Sequence, residues 1–236
     1  MEWITVPEKG FTLREVRTLT NRNVNLSEEL EKSVSAILEK VRDGGDAAIR
    51  ELTKKFDGVE LTDLRVTEEE MQEALAQVTP EFLEVLKEAK ANIETFHKEQ
   101  VRKSWTKNFR DGVELGEQFL PIQRVGVYVP GGRAAYPSTV LMDTVPALVA
   151  GCPSVAMTTP PGKDGKVNPN ILAAAYVAGV KEIYKVGGAQ GIAMLAYGTE
   201  SVEPVFKIVG PGNAFVAMAK RLVFGTVGID MIAGPS

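Results

Sequence analysis

Apolar and polar residues alternate with one period in the first half of this chain and another in the second, and the change falls near Arg124. In SEELEKSVSAILEKVRD, Leu30, Val34, Ile37, Leu38 and Val41 share one helical face behind Ser27 as N-cap, which predicts a helix. Gly44-Gly45 predicts a break, and DAAIRELTKKF a second short helix ending at an Asp57-Gly58 turn. Thr67 and Glu70 have capping-box spacing at the head of a third helix. Thr79-Pro80 opens a fourth, with Phe82, Val85, Leu86, Ala89, Ile93 and Phe96 as its buried stripe. SWTKNF and GVELGEQFL then run with period two, predicting two strands that turn at Gly112.

Past Arg124 the runs VGVYV, SVAMTTP, EIYKVG, VFKIVG and VGIDMI read as strands. Between them STVLMDTVPALVAG, PNILAAAYVAGV, GIAMLAYG and NAFVAMAKRLVFG read as helices, rich in Ala and poor in charge. Five strands spaced by four helices predict a parallel α/β sheet with right-handed crossovers. Such sheets bind ligands at the carboxyl ends of their strands. Three of those ends are glycine-rich: Pro130-Gly131-Gly132, Gly187-Gly188-Ala189-Gln190-Gly191 and Gly210-Pro211-Gly212-Asn213. Glycine admits a ligand close to the backbone, and each loop opens a helix whose first amides attract anions. None is a G-x-G-x-x-G followed by an acidic residue at the usual distance, so each alone also fits a plain strand-to-helix turn. Together they make one rim.

Charge changes the picture modestly. Residues 1–120 carry 18 Lys and Arg against 25 Asp and Glu, a net of −7, and residues 121–236 carry 9 against 6, a net of +3. A mildly basic second half suits an anionic ligand, but no basic stripe of the kind nucleic acid requires is present. No apolar run approaches a membrane span, and the N-terminus lacks the apolar core of a secretion signal. A single cysteine, Cys152, fits a reducing compartment, so the expected location is cytoplasmic. Cys152 lies between a helix end and an apolar strand and reads as a packed thiol. The one histidine, His97, lies at the edge of a helical stripe and reads as a packing or capping residue. One His and one Cys exclude a His- or Cys-rich metal site, and a Ser-His-Asp triad would have to use His97. The residues thus give a binding rim without an evident acid–base group.

The runs VGVYVPGGRAAYPSTVLMDTVPALVAGC, KVGGAQGIAMLAYGT, KIVGPGN and GIDMIAGPS, with FHKEQ in the first half, resemble histidinol dehydrogenase from about residue 25 onward. The resemblance implies a zinc- and NAD-dependent homodimer of histidine biosynthesis that oxidises L-histidinol through L-histidinaldehyde to L-histidine. It places Tyr128, Gln190 and Asn213 at the NAD contacts, and Ser236 at a substrate contact. The family's zinc ligands and its catalytic Glu-His pair come later than Ser236, so Ser236 reads as a cut end, and no catalytic or metal residue is assigned. The implied fold is α/β: an arm over residues 1–25, the mostly helical part of an incomplete first Rossmann-like domain over 26–126, and a nearly complete parallel-sheet, NAD-binding domain over 127–236. The fragment alone is expected to be inactive, with apolar surface uncovered and a sheet edge open. Two rivals remain: a stand-alone nucleotide-binding module without catalysis, and an aldehyde-oxidising enzyme using Cys152 as nucleophile.

Overall fold

The computed structural model describes residues 28–131 and 135–232, together with Gly10 and Thr12. The rest of the arm over residues 1–25, the Ser27 cap, Gly132 and Ser236 lie outside this described part. The elements run α1 (Glu28–Asp57), α2 (Glu68–Leu75), α3 (Pro80–Lys98), β1 (Trp105–Arg110), β2 (Val113–Glu117), β3 (Arg124–Tyr128), α4 (Pro137–Val149) and β4 (Ser154–Thr158). They continue with α5 (Pro169–Ala178), β5 (Glu182–Tyr184), α6 (Gly188–Tyr197), β6 (Lys207–Val209), α7 (Ala214–Val223) and β7 (Gly228–Ile229).

Strands β3 to β7 form one parallel sheet in the order β5-β4-β3-β6-β7. The chain starts at the centre with β3, steps outward to β5, then crosses back through α6 to β6 on the other side. That reversal puts a topological switch point between β3 and β6. Side chains on alternate strand positions divide the core in two. Val125, Val127, Val155 and Met157 pack with α4 and α5, whereas Tyr128, Ala156 and Ile208 pack with α6 and α7. The first helices supply a second layer on each face: α1 packs on α6 and α7, and α2 and α3 pack on α5 and α4. Gly126 permits this closeness, because a Cβ there would stand 2.9 Å from Leu195 on α6.

Local signals explain most of the element ends. Thr67 and Glu70 close the expected capping box, with Oγ1 of Thr67 accepting from the Glu70 amide at 3.2 Å and Oε2 of Glu70 from the Thr67 amide at 2.9 Å. Thr79 caps α3 ahead of Pro80. The expected break in α1 falls at Gly45, with φ 51° and ψ −137°. Leu64–Val66 pairs antiparallel with β5 through Val66 N–H to Ile183 O and Lys185 N–H to Leu64 O, and so covers that sheet edge. Beside β7, no further strand stands among the described residues.

Two expectations need correction. Val85 and Phe96 are 60% and 65% exposed, so the buried row of α3 is Phe82, Leu86, Ala89 and Ile93, joined by Leu83. The helix touches α4 and α5 along that narrower row, leaving its flanks outward. The last strand is also shorter than VGIDMI, because the Asp230 side chain turns back to Gly210 and Lys220, and Met231 and Ile232 are exposed.

Candidate functional site

Tyr128 is the last residue of β3, Gln190 lies in the first turn of α6, and Asn213 is the N-cap of α7. The sheet order brings all three to one cavity of about 360 Å³ at the carboxyl ends of the strands, walled also by Phe56, Asp57 and Phe215. The Tyr128 hydroxyl accepts a hydrogen bond from the Gly188 amide at 3.0 Å and so ties β3 to the start of α6. Burial, with a smaller push from the charge of Asp57, raises the pKa of this phenol to about 12, so it stays protonated at neutral pH. Gln190 is 1% exposed, yet its Oε1 is buried without a hydrogen-bond partner among the described residues. Asn213 uses Oδ1 to accept from the Phe215 and Val216 amides at 3.0 and 3.1 Å. What its amide can still offer a ligand is the NH2 donors.

The loop carrying Asn213 is clamped at Gly210. Gly210 N–H donates to Oδ2 of Asp230 at 3.0 Å, and its carbonyl accepts from Lys220 Nζ at 2.8 Å. Lys220, 3% exposed, is also ion-paired with Asp230. Asp143 on α4 faces the same pair. Burial, then the charge of Asp230, push its carboxyl up to about 7 against the opposing pull of Lys220. None of these three residues carries a signal of this contact in the sequence. Lys220 and Asp230 read as ordinary polar positions, since nothing in their spacing shows that they meet.

The remaining candidates lie elsewhere. Cys152 is buried in the apolar core between α4 and β4, and burial raises its pKa, which leaves the aldehyde-oxidising reading without an exposed thiolate. His97 lies in the last turn of α3, its Nδ1 2.6 Å from Oε1 of Gln100 and its ring edge-on to Phe96. A larger groove of about 660 Å³ lies at the opposite end of the sheet, between the start of α2 and the end of α5. Arg65 there is already bound to the Lys181 carbonyl at 2.9 Å, and ligands of such sheets enter from the other end.

The family described as histidinol dehydrogenase matches residues 20–236. The chain belongs to the histidinol dehydrogenase family. Relatives named histidinol dehydrogenase include that of Geobacillus kaustophilus, 57% identical over 89% of this chain and 50% of its own length. That of Bacillus subtilis is 52% identical over 89% of this chain and 49% of its own length. A crystal structure of histidinol dehydrogenase from Elizabethkingia anophelis superposes with a TM-score of 0.87 at 40% identity, covering 96% of this chain and 52% of that one. The chain thus spans about half the length of the curated relatives it matches.

For a histidinol dehydrogenase the two implied cofactors fare differently. An orphaned buried amide oxygen on Gln190, glycine loops and two helix N-termini around one cavity suit a dinucleotide. Among the described residues no three of His, Cys, Asp or Glu come together as a metal cage, so they do not fit zinc. No helix among the described residues is long and apolar enough to cross a membrane.

Proposed function

We propose that this chain is the NAD-binding part of a histidinol dehydrogenase, which oxidises L-histidinol through L-histidinaldehyde to L-histidine in histidine biosynthesis. The observation that carries the reading is the convergence of Tyr128, Gln190 and Asn213 on one cavity at the switch point of the sheet. Bound NAD would supply the hydride acceptor. The chain's own part would be to hold it: the N-termini of α6 and α7 line the cavity and would attract its phosphates, Asn213 would donate from NH2, and Gln190 would offer an unpaired acceptor and its own donors. Tyr128 sets the spacing of the rim through its bond to Gly188 and presents a neutral phenol.

The same reading makes residues 26–126 the opening part of a first domain and residues 127–236 a second, with the arm 1–25 reaching a partner subunit in a cytoplasmic homodimer. The solvent-facing hairpin β1–β2 supports it, since a two-stranded ribbon with an uncovered apolar face is marginal alone. Ser236 would meet the substrate, and zinc would be held outside the described residues.

Titration with NADH tests the cavity. Gln190→Ala and Asn213→Asp should each weaken binding about tenfold, the loss of one hydrogen bond to a charged or polar ligand group. In the full-length enzyme the same changes should raise KM for NAD more than KM for histidinol. Equal effects on both substrates would sink the assignment.

A further inference from the structure

In sheets that bind dinucleotides, an acidic residue beyond the glycine loop receives the adenosine ribose hydroxyls. Of the three loops only that at Gly210 is followed at such a distance by an acidic residue, Asp230, and the Asp230 carboxylate is already taken up by the Gly210 amide and Lys220. The fold brings one from outside the sheet: Asp57, the last residue of α1, lines the same cavity as Tyr128, Gln190 and Asn213. Its Oδ2 is buried and has no hydrogen-bond partner among the described residues. Two costs attach to that position. A polar atom is desolvated without compensation, and a negative charge stands at a helix C-terminus, where the backbone carbonyls already concentrate negative potential. The nearby cations of the last turn do not relieve it, because Lys54 pairs with Glu60 and Lys55 lies over the Phe56 ring. Among the described residues around the cavity, no Lys or Arg stands ready for a 2′-phosphate.

We propose that Asp57 is the specificity-determining residue of this cavity: its carboxylate accepts the 2′-hydroxyl of the adenosine ribose and repels a 2′-phosphate, selecting NAD over NADP. The proposal rests on the reading of the cavity as the dinucleotide site. A carboxylate oxygen without a protein partner is free to take a hydroxyl proton, and the same charge beside a phosphate dianion is unfavourable on both counts.

The test is fluorescence titration of the chain with NADH and with NADPH, for the unaltered protein, Asp57→Asn and Asp57→Ser. The unaltered protein should bind NADH at least about tenfold more tightly than NADPH, and both substitutions should shrink that ratio by about tenfold. Their melting temperatures should hold or rise, since no protein contact is lost. An unchanged ratio with NADH binding intact would overturn the role of Asp57 and leave the cavity standing. A sharp fall in melting temperature in both variants would mark Asp57 as structural and also overturn it. Unaltered NADH binding in Gln190→Ala and Asn213→Asp would instead remove the cavity reading itself.

Discussion

Gly210 shows how little room the rim leaves for a side chain. Its φ is 120°, and a Cβ there would stand 2.2 Å from the Tyr128 carbonyl oxygen. Gly210→Ala must therefore move either β3 or the loop, and the expected cost is about 3 kcal/mol of stability with weakened NADH binding. Chemical denaturation checks the first and titration the second. Asp143 gives the residue-scale pH dependence. Its carboxyl is raised from the ordinary 3.8 to about 7 in the fold, by burial first and by Asp230 second. Between those values the folded chain holds a proton that the unfolded chain has released. Stability from this group is therefore lost as pH climbs from about 4 to about 7. Asp143→Asn should remove that slope. Thermal melts from pH 4.5 to 7.5 should show the variant gaining on the unaltered protein, and a constant difference would refute the assignment.

Elements are joined here by side chains that reach between them. Glu200, in the loop after α6, accepts from the Asp46 amide at 2.7 Å and so caps the second half of α1 just past the Gly45 break. The break itself was legible, because two glycines interrupt a clear helical stripe, but its cap was not, since Glu200 lies 154 residues away. Lys185 likewise reaches Oε1 of Glu70 at 2.8 Å, fastening α2 to the end of β5. The clamp of Lys220 and Asp230 on Gly210 joins α7, β7 and the rim. Lys220→Met would leave Asp230 partly buried beside Asp143 with no cation between them. The expected loss is about 3 kcal/mol, and adding Asp230→Asn should recover part of it. A double-mutant cycle by denaturant melts measures the coupling, and strict additivity would show that the pair acts independently.

At the scale of the whole molecule, the parallel sheet is covered on both faces by the chain's own helices, while the β1–β2 hairpin faces solvent. Cross-strand register pairs Trp105 with Glu117 and Lys107 with Leu115, which sets Trp105 and Leu115 on one face, while Phe109 stands in the bulge between Asn108 and Arg110 with its ring under Lys107. These three apolar residues are exposed, as are the outward flanks of α3 at Val85 and Phe96. Apolar patches of this kind drive association. The 236-residue chain should self-associate in sedimentation at micromolar concentration, and Phe109→Ser with Leu115→Thr should reduce it. Monomeric sedimentation of the unaltered chain would count against an uncovered interaction face.

Periodicity by itself determined the helices, the strands and the α/β class, because a stripe of Val34, Ile37 and Leu38, or the alternation in VGVYV, reflects burial on one face at short range. The glycine loops marked the rim for the same local reason, and the family motifs named Tyr128, Gln190 and Asn213 within it. What the chain order could not supply was distance. The sheet had to reverse between β5 and β6 before Tyr128 and Asn213 could face one cavity. The helix α1 had to lie across α6 and α7 before Asp57 could join them. Asp143, Lys220 and Asp230 meet only because α4, α7 and the turn after β7 come together in the fold. Burial without a partner, as at Asp57 Oδ2 and Gln190 Oε1, is a property of that packing and has no signature in sequence.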